Sequence, residues 1–313
     1  MSKKEKLIIL TGPTAVGKTA LSIHLAKKLN GEIISADSMQ VYHYMNIGSA
    51  KIMPDEMDGV VHHLVDVLDP KESFDVYTFQ QLAKKALADI YKKGKIPILV
   101  GGTGFYIQAL LYDIDFTASH EEEEGQLRNE LEELGRTRGA QYLHERLRVL
   151  DEESASQIHP NNMKRVIRAI EYCETTGQKF STHNEEQHQK ESPYDFYYFV
   201  LNDERSFLYE RIEQRVDRMM EQGLVAEVRA LKKIGLTRDY VSMQGLGYKE
   251  ILDYLDDKIS LDEAIYLIKR DTRHFAKRQL TWFRREKNVI WIDKNKFQRD
   301  DEKILDYMLS LIK

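Results

Sequence analysis

The residues best equipped for chemistry stand near the start of the chain. Gly12-Pro13-Thr14-Ala15-Val16-Gly17-Lys18-Thr19 fits the pattern G-x-x-x-x-G-K-[ST], set between a short apolar run and a helical pattern. In that context the loop points backbone N–H groups and a helix N-terminus at phosphate oxygens. Gly12 and Gly17 permit the tight backbone path, Lys18 neutralises phosphate charge, and the Thr19 hydroxyl can ligate Mg²⁺. A phosphate loop most often means a nucleotide-binding protein, an NTPase or a small-molecule kinase. Such enzymes commonly place an acidic Mg²⁺ ligand at the end of an apolar strand. Here Ile98-Leu99-Val100 ends in Gly101-Gly102-Thr103, with no acid. The well-placed acid is Asp37, in Ser35-Ala36-Asp37-Ser38-Met39-Gln40. It has two readings: an acid at the carboxyl edge of a parallel sheet, where ligands of this fold bind, or the cap of a following helix.

Charge offers one more candidate. The net charge of −5 excludes a protein that coats nucleic acid by overall basicity, but between Ile268 and Lys287 eight Lys or Arg face two acids. On its own such a run reads as a solvated helix face. The single cysteine, Cys173, excludes an internal disulfide framework and a cysteine-based zinc cluster. No stretch approaches the roughly 18 consecutive apolar residues of a membrane span, so the expectation is a soluble cytoplasmic protein.

The elements that must hold these residues follow from periodicity. The first hundred residues alternate short apolar runs with helical patterns, the signature of β-α-β units and a parallel sheet. Strands are predicted at Leu7–Leu10, Ile33–Ser35 and Ile96–Val100, and helices at Lys18–Leu29 and Thr78–Lys93, the latter stopped by Gly94. From Gln126 to Glu174 the pattern is helical without strand signals. Strands return at Phe196–Leu201 and Val289–Ile292, with helices at Phe207–Gln222, Leu224–Lys233, Leu261–Trp282 and the C-terminus. The expected fold is therefore α/β: a P-loop NTPase-like core from residues 1–116 and 194–313, with a parallel sheet flanked by helices, plus an all-helical insertion over 117–193. Within the insertion, Lys164, Arg165 and Arg168 fall at helical spacing.

Taken together the motifs resemble those of the tRNA dimethylallyltransferases. The phosphate loop and Ser35-Ala36-Asp37-Ser38-Met39-Gln40-Val41-Tyr42 resemble the start of that family. In family order there follow Val100-Gly101-Gly102-Thr103-Gly104-Phe105-Tyr106, then Ile158-His159-Pro160-Asn161-Asn162 through Arg168-Ala169-Ile170-Glu171, then Gly245-Leu246-Gly247-Tyr248, and Lys277-Arg278-Gln279-Leu280-Thr281-Trp282-Phe283.

The resemblance implies transfer of a dimethylallyl group from dimethylallyl diphosphate to the exocyclic amine of the adenine adjacent to the tRNA anticodon. It implies that the phosphate loop holds the prenyl diphosphate, with Mg²⁺, and that tRNA enters a channel through the core from the opposite mouth. Asp37, Thr103 and Arg215 become the expected catalytic residues. Arg215 would otherwise read as an exposed helix charge. The resemblance further implies tRNA contacts at Asp37, Ser38, Met39 and Gln40; at Thr103 and Arg128; at Lys164, Arg165, Val166, Ile167 and Arg168; at Gln244, Gly245, Leu246, Gly247, Tyr248 and Lys249; and at Lys277 and Arg278. Gln244 departs from the arginine that bacterial relatives often carry. No C-terminal Cys/His zinc module of the eukaryotic kind is present. The expected form is a monomer that binds the tRNA anticodon stem-loop.

Overall fold

The computed structural model describes residues 4–116 and 122–312. Strand β1 (Lys6–Thr11) leads into α1 (Lys18–Leu29), β2 (Gly31–Ala36), the short β3 (His62–His63), α2 (Val76–Lys92), β4 (Ile96–Gly101) and α3 (Gly104–Leu111). Five helices follow: α4 (Glu122–Arg138), α5 (Ala140–Leu150), α6 (Glu152–Gln157), α7 (Met163–Thr176) and α8 (Phe180–Gln189). The chain then forms β5 (Asp195–Asn202), α9 (Arg205–Glu221), α10 (Leu224–Lys233), α11 (Tyr248–Leu255), α12 (Leu261–Phe283), β6 (Val289–Asp293) and α13 (Asp301–Leu311).

The strands form one parallel sheet in the order β3-β2-β4-β1-β5-β6. A parallel sheet is covered on both faces by its crossover helices, so its strands are apolar at successive positions. Ile8, Leu10, Ile33, Ile98, Val100, Phe199 and Leu201 join Leu21 and Leu25 of α1 and Ile304, Leu305 and Met308 of α13 in one core. The alternate residues Leu7, Ile9, Ile34, Leu99, Tyr198 and Val200 are equally buried. Edge strand β3 carried no sequence signal because its two residues are histidines. A buried carboxylate helps to hold it: Glu32 of β2 is bonded to His63 Nε2 at 2.8 Å and to Lys93 and Lys95 Nζ at 2.9 Å each. Burial alone would raise the Glu32 pKa, but these bonds outweigh it and hold the carboxyl at about 2.

Residues Leu111–Pro193 form a second compact unit, and Met1–Leu110 with Tyr194–Lys313 form the first. The second unit has its own core, in which Leu131, Leu143 and Leu147 pack with Val166, Ile167 and Ile170. The start expected for it at residue 117 lies outside the described residues.

Candidate active site

Register brings the phosphate loop, Asp37 and Thr103 to one edge. Thr11 of β1 is level with Gly101 of β4, and Gly101 is level with Ala36 of β2. The residues that leave these three adjacent strands at their carboxyl ends are Gly12, Gly102 and Asp37. Ligands of parallel sheets bind at this edge. Two hydrogen bonds lock the corner: Thr11 Oγ1 donates to Gly101 O at 2.6 Å, and Thr103 N donates to Ala36 O at 3.3 Å. Gly101 itself must be glycine, since a Cβ there would lie 2.1 Å from Ala36 O.

The loop then closes around α1. Gly17, the N-cap of α1, has φ 100°, a left-handed conformation that a side chain would strain. A Cβ there would also lie 3.0 Å from Lys294 Nζ, a buried ammonium paired with Asp301 at 2.7 Å. Lys18 Nζ donates to Gly12 O and Pro13 O, both at 2.9 Å. Thr14 is gripped twice: its hydroxyl accepts from Arg215 Nη1 at 3.2 Å, and its amide donates to Gln279 Oε1 at 2.9 Å. The Gln279 amide nitrogen in turn donates to Gly102 O at 2.9 Å. Gln279 thus ties the phosphate loop to the turn that bears Thr103.

Two cations and one carboxylate share this corner. Burial and then the charge of Arg215 lower the Lys18 pKa to about 7, while Asp37 opposes the shift. Burial lowers Arg215 as well, Asp37 again opposes, and Arg218 and Arg211 add to the lowering. An anion placed on the loop would relieve this repulsion. No helix follows Asp37; its Oδ1 instead caps a turn, accepting from Met39 N at 2.8 Å and Gln40 N at 3.2 Å. Oδ2 takes no part in that turn.

Gly245-Leu246-Gly247-Tyr248 packs on the segment that follows Asp37. A Cβ on Gly245 would meet Met39 Cε at 2.5 Å, and one on Gly48 would meet the Tyr248 ring at 2.6 Å.

A family model described as IPP transferase matches residues 40–286, most of the chain. The chain belongs to the IPP transferase family. It is 59% identical over 98% of its length to a tRNA dimethylallyltransferase of Lachnoclostridium phytofermentans, and covers 97% of that protein. Among solved structures it resembles the tRNA isopentenylpyrophosphate transferase of Bacillus halodurans at 46% identity, TM-score 0.73, covering 98% of this chain and 96% of that one. A eukaryotic dimethylallyltransferase acting on tRNA gives TM-score 0.80 at 30% identity, with 92% and 74% covered.

Some of the residues expected to touch tRNA cannot do so through their side chains. Val166 and Ile167 are 0% and 4% exposed in the core of the second unit, because they fall on the inner face of α7. Lys164 and Arg165 stand exposed beside them, and Arg168 is half-buried. Tyr248 is 0% exposed, its hydroxyl donating to Glu227 Oε1 at 2.8 Å, so its work is internal. Gln244 is exposed and its amide donates to Arg238 O. Arg128 lies 3.7 Å from Glu171 and 3.9 Å from Glu132. The basic run divides. Lys269, Arg270 and Arg273 are ion-paired at 2.6–2.7 Å, whereas Lys277, Arg278 and Arg285 line an open groove with His274, Thr281 and Trp282.

The residue that sequence reasoning quoted without a role is Gln279. Its signal was present: it shares the buried face of α12 with Ile268, Ala276 and Phe283. A glutamine on an apolar face must find partners.

Proposed function

We propose that this protein transfers the dimethylallyl group of dimethylallyl diphosphate to N6 of the adenine adjacent to a tRNA anticodon, releasing diphosphate. The observation that carries the reading is that Lys18 and Arg215, whose guanidinium donates to Thr14 of the phosphate loop at 3.2 Å, meet at the corner where Asp37 leaves β2, with β4 between that strand and the loop. A kinase would need that carboxylate for metal and a second group for its acceptor. A prenyl transferase needs the cations for a leaving diphosphate and the carboxylate for the proton of an amine.

The steps follow from the chemistry. The N6 lone pair forms a bond to the allylic C1, and the C1–O bond breaks with its electron pair passing to the diphosphate. Charge that grows on that oxygen meets Lys18, Arg215 and the loop amides, which are fixed before reaction and so cost little reorganisation. The N6 proton passes to Asp37 Oδ2 as the C–N bond forms. Thr103, at the adjacent strand end, lies within the same corner and positions the acceptor.

Mg²⁺ fits the donor set. Thr19 offers a hydroxyl in the first turn of α1, beside the phosphate loop. Mg²⁺ keeps waters and takes few protein ligands beside substrate phosphates. When bound it would neutralise part of the charge on the leaving diphosphate.

On the RNA side, the exposed Lys164, Arg165, Lys277 and Arg278 suit phosphates, and the helical unit grips the anticodon stem. The protein works as a monomer in the cytoplasm, where its tRNA substrate is found. No helix of the described residues is long and apolar enough to cross a membrane. The test is mass spectrometry of tRNA incubated with the protein and dimethylallyl diphosphate. A gain of one dimethylallyl group on that adenine supports the reading. Phosphoryl transfer from ATP to a small acceptor, with tRNA unmodified, refutes it in favour of a kinase.

A further inference from the structure

We infer that Glu227 is a positioning residue for the acceptor base, acting at a distance through the segment that follows Asp37. The inference rests on the proposed transfer reaction and adds a residue that neither the motifs nor the phosphate loop includes.

Glu227 lies in the first turn of α10, where its sequence context is that of a solvated acid. Its carboxylate is instead almost fully engaged. Oε2 accepts from Asn46 N at 2.9 Å and Ile47 N at 2.8 Å, and Oε1 accepts from Gly48 N at 3.1 Å and from the Tyr248 hydroxyl at 2.8 Å. The Tyr248 oxygen also accepts from Ser49 N at 3.1 Å. Four successive backbone N–H groups are thereby fixed by two side chains. A charged acceptor makes such bonds shorter and stronger than a neutral one would.

The turn so held has one visible task. Its carbonyls at Ser49 and Ala50 accept from Gln40 Nε2, at 3.5 and 3.1 Å. Gln40 N is in turn bonded to Asp37 Oδ1 at 3.2 Å. A continuous chain of contacts therefore runs from Glu227 through the 46–50 turn and Gln40 to the carboxylate proposed to take the N6 proton. The turn thereby holds the Gln40 amide beside Asp37. Tyr248 adds a steric stop, since its ring lies where a Cβ on Gly48 would be, 2.6 Å away. No hydrogen bond in this chain involves Lys18, Thr14 or Arg215, so the diphosphate half of the site should be insensitive to it.

The experiment is a double-mutant cycle between Glu227→Gln and Gln40→Ala, read by kcat and KM for an anticodon stem-loop and, separately, by the affinity for dimethylallyl diphosphate. Glu227→Gln keeps the shape but puts an N–H against backbone donors. It should lower kcat/KM for the stem-loop by about tenfold to 10²-fold, the cost of a misplacement near 1 Å, with diphosphate affinity unchanged. Because both residues act through one chain of contacts, the double mutant should be no worse than the worse single mutant. Tyr248→Phe, which removes only the Ser49 bond and one bond to Glu227, should give a smaller loss of the same kind and carries the test if Glu227→Gln does not fold. Activity of folded Glu227→Gln within about twofold of wild type, losses that multiply in the double mutant, or diphosphate affinity falling in step would each overturn the inference. A wild-type protein that prenylates no stem-loop would instead overturn the proposed reaction.

Discussion

Asp37 carries an observed turn cap on one oxygen and the proposed base on the other. Oδ1 caps the turn at Met39 and Gln40, so removing the whole carboxylate confounds structure with chemistry. Asp37→Asn keeps an oxygen for the cap and loses the base. It should bind dimethylallyl diphosphate as wild type does and transfer about 10²–10⁴ times more slowly in a single-turnover assay; near wild-type rates would leave Asp37 with the cap alone. Lys18 makes a second residue-level prediction. Its pKa is lowered to about 7 by burial and Arg215, so its ammonium is present below that pH and lost above it. Diphosphate favours the ammonium, hence binding at about pH 8 should take up a proton and affinity should fall as pH rises past 7. Calorimetry in two buffers of different ionisation enthalpy measures this, and equal heats after correction would refute it. The phosphate loop was legible because its signal is a contiguous string. Arg215 was legible only by resemblance, since its partner Thr14 lies 201 residues away. Glu227 gave no signal at all: its partners are backbone N–H groups that any sequence supplies.

Elements with a period were legible, and those held by tertiary contacts were not. Helices α1 and α10 match their expected bounds, because apolar spacing marks both. Helix α8 lies beyond Glu174, where the helical pattern of the sequence ends. It forms because Phe180 packs on Tyr172 and the insertion core, while Ser181 N and Oγ bond to Asp151 at 2.8 and 2.9 Å. Helix α11 likewise starts at a glycine N-cap, Gly247, whose N–H donates to Glu250 Oε2 at 2.9 Å. Along α12 the basic run looked uniform in sequence, yet its first half is neutralised by Asp217, Asp271 and Glu213. Among the described residues the second half shows no such ion pair at Lys277 and Arg278, which leaves them to the proposed RNA contact. Replacing Lys277 and Arg278 by Ala should therefore weaken stem-loop binding and flatten its salt dependence by about 0.7–0.9 in log affinity per log salt for each phosphate no longer neutralised. The same double change at Lys269 and Arg273 should leave the slope near wild type. Titration at several salt concentrations distinguishes the two halves, and equal slopes for both variants would mean that the groove is merely solvated.

At the scale of the whole molecule the question is whether recognition and chemistry can be separated. All six strands, the phosphate loop, Asp37, Thr103 and Arg215 belong to the unit formed by Met1–Leu110 and Tyr194–Lys313. The sheet needs nothing from Leu111–Pro193, because β5 pairs with β1 from Asp195 onward, directly after the insertion ends. The insertion in turn buries its own apolar residues around Leu131, Leu147 and Ile170, leaving Lys164 and Arg165 outside. Replacing the insertion by a short flexible linker between the end of α3 and Tyr194 should therefore leave a folded core, since the cut falls where one compact unit gives way to the other. That core should bind dimethylallyl diphosphate with the affinity of the full chain. Its affinity for an anticodon stem-loop should drop by about tenfold or more, about 1.4 kcal/mol, because the phosphates assigned to the insertion would go unneutralised. Paired titrations of one preparation with both ligands make the comparison, with circular dichroism to establish folding. Unchanged stem-loop affinity would remove the gripping role from the insertion, and a folded core unable to bind dimethylallyl diphosphate would show that the two tasks are not divided along the chain in this way.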